Sequence, residues 1–150
     1  MMLFVARLTT AIMRRRNRVS LEETSMHASL LTYAASLMVL GWGIAHLFPT
    51  KSVVAAFGDI SADNKRIVTM EWITEGVALI FIGVLVAITT YLDRTSLLAK
   101  AVYLTTIVAL NVLSVVSLFT GFRNSFIPFK LCPVIFTGSS ILIAVGGMLN

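Results

Sequence analysis

Charge is scarce in this chain: 13% of its 150 residues are charged, against roughly 25% in a soluble domain. That deficit, beside 57% hydrophobic residues, points to lipid as the solvent. Cysteine is scarcer still. Cys132 stands alone, which excludes an intrachain disulfide and a CxxC redox pair. With only His27 and His46, the chain lacks HExxH and any second-histidine pattern beside a carboxylate, so no metal site is predicted. No nucleophile with a recognisable base is present, and no catalytic residue is assigned.

What is present is organised by hydropathy. Four apolar stretches, 28–48, 68–91, 97–119 and 131–148, are each close to the ~20 residues that a helix needs to cross hydrocarbon. They predict an all-α, four-helix transmembrane bundle of up-down topology over residues 28–149. Four such spans leave little chain for a separate soluble domain. Residues 1–27 read as a basic cytoplasmic tail. Its Leu3, Phe4, Leu8, Ile12 and Met13, with Arg7 and Arg14, have the composition of an interfacial helix. The apolar residues precede the arginines, the reverse of a secretory signal.

Pro49 ends the first span. Val53, Val54, Phe57 and Ile60 follow at helical spacing, predicting a short interfacial helix on the outer side that Gly58 keeps brief. Ser61 is placed to cap a helix that begins outside the hydrocarbon and continues through the second span. The short connection 92–96 makes the second and third spans antiparallel neighbours. A polar loop over 120–130, containing Pro128, leads to the fourth.

Orientation follows from the cations. With the tail and the 92–96 turn inside, Arg7, Arg14, Arg15, Arg16, Arg18, Arg94 and Lys100 are cytoplasmic and Lys51, Lys65, Arg66, Arg123 and Lys130 are outside. This predicts a multi-pass protein of the cell membrane with both termini cytoplasmic; counted from Met26, the balance reverses. The arginine-rich tail fits anionic lipid headgroups better than nucleic acid.

The residues that could carry chemistry gather near one membrane surface. Glu71 and Glu75 are four apart, so they share a helical face about 6 Å apart at their stems. Two ionised carboxylates there would repel, which favours a shared proton in a low dielectric. His46 closes the first span where the second begins. Ionisable groups at a span are costly enough to be candidates for function; the plainer account has Glu71 pairing with Lys51, Lys65 or Arg66 and His46 bonding to a neighbouring helix. Trp72 at the boundary reads most simply as an interfacial anchor, with a face for a cation or a flat ligand as the alternative. Trp42, one turn before His46, can wall an outer pocket. Asn111, with Ser114 and Ser117, gives the third span a polar stripe that reads as interhelical glue, with a ligand contact as the alternative. Cys132, beside Pro133, reads as inert.

The stretches Gly43-Ile44-Ala45-His46-Leu47-Phe48-Pro49, Val54-Ala55-Ala56-Phe57-Gly58 and Glu75-Gly76-Val77-Ala78-Leu79-Ile80-Phe81-Ile82-Gly83 resemble the DoxX-like family of small four-helix membrane proteins, over about half the chain. The resemblance implies an up-down bundle that serves in some cases as the membrane subunit of a quinone-linked oxidoreductase. Departures are the missing cysteine pair and the segment GDISADNKR in place of a plain turn.

The functional expectation is a membrane protein that binds a lipid-like or quinone-like ligand, or serves as an accessory subunit, through the outer cluster of His46, Glu71 and Glu75. No cofactor is evident beyond a quinone. A homo-oligomer or a partner membrane subunit is compatible with this. A proton-coupled small transporter and a structural assembly partner are the alternatives.

Overall fold

The computed structural model describes residues 2–121 and 127–148, with side chains over 13–121 and 129–148. Helices α1 (Met2–Leu47), α2 (Thr50–Ala56), α3 (Ala62–Asp93), α4 (Leu97–Thr120) and α5 (Ile127–Ile143) follow in order, and α5 runs into a π-helical turn over Ala144–Met148. Four segments are long and apolar enough to cross a membrane: Met13–Leu47, Ala62–Asp93, Leu97–Thr120 and Phe129–Met148.

Local chemistry sets the boundaries. Pro49 follows the end of α1, and the short α2 stops at Gly58, which adopts φ +70°, a conformation that glycine takes without steric cost. Ser61 accepts a hydrogen bond from the Asn64 amide at 3.2 Å, and Ser96 accepts one from the Ala99 amide at 3.1 Å. Both are N-caps that satisfy otherwise orphaned donors. Helix α1 continues unbroken through the segment read as a tail, because neither glycine nor proline interrupts residues 2–40. Its 46 residues make it about 70 Å long, more than twice the hydrocarbon thickness. At the far end, α5 starts at Ile127, with Pro128 in its first turn, a position that needs no intrahelical N–H bond. Of the loop expected over 120–130, residues 122–126 lie outside the described residues.

The bundle is up-down, with α1 packed along α3 and α5, and α4 packed along α5. Glycines permit the α1–α3 approach: a Cβ on Gly83 would lie 2.8 Å from the Ser36 carbonyl oxygen, and one on Gly43 would lie 2.7 Å from the Gly76 carbonyl oxygen. Such small-residue contacts drive helix association where lipid removes the hydrophobic force. Ser36 adds a hydrogen bond to the Gly83 carbonyl at 2.7 Å.

Helices α3 and α4 are antiparallel, as their short connection requires, yet they meet much less than the α1–α3, α4–α5 and α1–α5 pairs. The Thr90 and Tyr103 hydroxyls bond at 2.9 Å near the turn; farther along, Leu79 and Ile82 of α3 and Leu113 of α4 line a groove. The core comprises Ala35, Val39, Leu79, Val86, Tyr103, Leu110, Phe136 and Ile143. Outward-facing residues are apolar too: Leu37, Phe81, Val112 and Val134 are more than half exposed. Helices apolar on both faces belong in lipid. The chain is a multi-pass integral membrane protein.

Candidate functional site

The last turn of α1 and the third and fourth turns of α3 build the site. The antiparallel α1–α3 pair brings His46 beside Trp72 and Glu75. The two rings stack with centroids 4.0 Å apart at an interplanar angle of 16°. The Trp72 indole N–H donates to the His46 backbone carbonyl at 2.6 Å. A carbonyl at a helix C-terminus has no intrahelical partner, so Trp72 both caps α1 and holds the imidazole flat. Phe129 of α5 closes the other side of the indole, edge-on, with centroids 5.4 Å apart at 83°.

This arrangement corrects the reading of Trp72 as a lipid-facing anchor. The side chain is buried, at 8% exposure, because its N–H found a helix-end carbonyl inside the bundle instead of a headgroup. The amphipathic indole suits either partner, and the rotation of α3 decides between them.

Glu75 lies one turn beyond Glu71. Its Oε2 is 3.3 Å from Nε2 of His46, and the side chains are 41% and 5% exposed respectively. The contact lies off a hydrogen-bond axis, and His46 Nε2 makes no aligned hydrogen bond among the described residues. The result is an imidazole–carboxylate pair held between a dry interior and an open groove. A proton carried by the imidazole turns this contact into an ion pair. With neutral imidazole, the half-exposed Glu75 carboxylate is left as an acceptor facing the groove.

Two cavities flank the Trp72 ring. The inner one, about 190 Å³, is walled by Trp42, His46, Trp72, Phe129, Leu131 and Cys132, and it is almost wholly apolar. Trp42 is half-buried there, and it lines the cavity together with Cys132. The outer groove, about 570 Å³, follows α3 from Ile67 to Ile82 and is bounded by Val53 of α2, Phe57 just after it, Leu113 of α4 and Phe129. Glu71 and Glu75 supply its charge.

Glu71 is exposed and takes part in no ion pair among the described residues, where Arg66 pairs instead with Asp63 at 3.1 Å. No hydrogen bond joins it to Glu75, so the structure does not show a shared proton. Asn111 lines neither cavity. Its amide donates to Ser140 Oγ at 2.6 Å and to the Ile107 carbonyl at 2.8 Å, tying α4 to α5 as interhelical glue. Ser114 does the same with the Pro133 carbonyl at 3.1 Å. Among the described residues, no three His, Cys, Asp or Glu side chains converge as metal ligands.

Sequence reasoning missed Phe129, Val53 and Phe57. Each is an unremarkable apolar residue, and only the topology, which sets the start of α5 and the short α2 beside the end of α1, marks them. Comparison with protein-family models, with curated proteins and with solved structures found no match.

Proposed function

We propose that the chain binds a membrane-resident amphiphile, lipid-like or quinone-like, at the His46 end of the bundle, either on its own or as the accessory subunit of a membrane complex. The observation that carries this reading is the His46–Glu75 contact of 3.3 Å at the head of a side-open apolar groove. A lipid-soluble molecule can enter laterally between α3 and α4, where helix contact is thin, and lay its apolar body along Ala78, Leu79 and Ile82. Its hydroxyl or carbonyl then meets the imidazole–carboxylate pair at the groove-facing Glu75 carboxylate.

The three stretches with the DoxX-like resemblance fall on the end of α1, on the end of α2 and the turn after it, and on the middle of α3, the elements that frame this groove. That placement supports an accessory role, with a partner subunit or a second copy against the bundle. The cation balance supports both termini on the cytoplasmic side of the cell membrane.

Tryptophan emission tests the proposal. In a Trp42→Phe background, Trp72 is the remaining indole, and a short-chain benzoquinone or a lysolipid that enters the groove must change its emission. Saturable quenching, weakened about tenfold by Glu75→Gln and by His46→Ala, is expected for loss of a charge-assisted hydrogen bond. Non-saturable quenching that is equal in all variants would count against a site.

A further inference from the structure

We propose that Arg94, at the opposite end of the bundle, binds the phosphate of an anionic phospholipid. Arg94 lies in the α3–α4 turn and is 9% exposed. Its guanidinium donates to the Gly146 carbonyl at 3.0 Å and to Ser25 Oγ at 3.3 Å, and both acceptors are neutral. Neither of the two ion pairs among the described residues involves it. The adjacent Asp93 carboxylate is turned away, accepting from the Thr95 amide and hydroxyl at 2.9 and 2.7 Å.

A buried cation without a counter-charge is costly, because its desolvation is not repaid. The Gly146 carbonyl, near the end of the helical run, offers the negative pole of a helix, equivalent to about half an elementary charge at most. No carboxylate among the described residues forms an ion pair with the guanidinium. Guanidinium carries five N–H donors in a planar fork suited to phosphate, and two are engaged here. Helix α4 begins three residues later at Leu97, with Ser96 as its N-cap, so its positive N-terminal pole adds to the local field. Tyr91, Leu92, Leu97 and Leu98 around the turn are apolar and largely exposed, as at a bilayer surface. The phosphate available at that depth belongs to a lipid. This site is independent of the proposed ligand at His46.

Native mass spectrometry of the full chain, released from nanodiscs of phosphatidylcholine with an equal share of phosphatidylglycerol, reads the retained lipid directly. One phosphatidylglycerol retained about tenfold over phosphatidylcholine is expected for a charge-assisted contact. That preference should vanish in Arg94→Gln and fall severalfold in Arg94→Lys, which keeps the charge but loses the fork. A variant with Arg14, Arg15, Arg16 and Arg18 all changed to Gln should still hold one lipid. No preference in the parent chain, or a preference that survives both Arg94 variants or disappears with the four tail arginines, would overturn the proposal. Complete displacement by inorganic phosphate would overturn the lipid in favour of a free anion. If Arg94→Gln does not fold, the parent chain and Arg94→Lys decide.

Discussion

The two ends of the bundle solve the same problem, polar groups near hydrocarbon, in different ways. At the Arg94 end the polar groups other than the Arg94 guanidinium are absorbed into packing. Tyr103 is fully buried, its hydroxyl is bonded to Thr90, and glycine lets the helix backbone press against its ring. At the His46 end, aromatic rings hold the helices apart around two cavities, and a carboxylate is left half-exposed beside a buried imidazole. Close packing gains dispersion and excludes water. An end that forgoes it carries a cost in stability that a binding site explains. Stability should therefore be governed by the packed α1–α3 seam and the Arg94 end, and ligand response by the His46 end.

The sharpest way to break that contrast is at the α1–α3 seam. Gly83→Val would push a Cβ to within 2.8 Å of the Ser36 carbonyl oxygen and of the Leu40 amide nitrogen, both of them backbone that cannot rotate away. A loss of about 3 kcal/mol or more is expected for such overpacking, read by steric trapping or by denaturant unfolding in bicelles. Gly41→Val, at a glycine with nothing within 4 Å, is the matched control and should cost nothing, because valine is a better helix former than glycine. Equal losses in the two variants would show that the seam is looser than its contacts indicate.

A smaller effect tests whether Trp72 is structural as well as a wall of the site. Trp72→Phe retains a ring against His46 but removes the N–H that caps the Leu47 end of α1. Interhelical hydrogen bonds in membranes average about 0.6 kcal/mol and reach about 1.7, and a buried carbonyl left unpaired belongs near the upper figure. Asn111→Ala removes the bond to Ser140 and should fall near the average. A larger cost for Asn111 than for Trp72 would reverse the roles assigned to them.

The four apolar helices and their up-down order were legible from hydropathy and loop length, since lipid imposes a length and short turns impose antiparallel neighbours. The caps at Ser61 and Ser96 differ in the same respect from everything at the site. Ser61 was readable because a cap depends on four consecutive residues, whereas the placement of Trp72 and Phe129 depends on how α3 rotates and where α5 begins. His46 and Glu75 meet because α1 and α3 run antiparallel, so their shared depth could be read while the facing of their side chains could not. The thin α3–α4 contact was not legible, because a short turn dictates direction and says nothing of how far two helices diverge beyond it. Glycines on α1 and α3 draw that pair together, and α4 is left to pack on α5.

The smallest expected effect separates the two carboxylates. Glu71 and Glu75 share a face of α3 and both line the groove, but Glu75 alone touches His46. Glu71→Gln should leave stability unchanged within about 0.5 kcal/mol, as for an exposed substitution without a partner. It should weaken ligand quenching of Trp72 by less than Glu75→Gln does. If the two variants weaken it equally, the acidic face acts as a field on the ligand and the imidazole pairing is incidental. If Glu71→Gln has the larger effect, the ligand head lies toward α2 and solvent, one turn farther out than the His46–Glu75 pair places it.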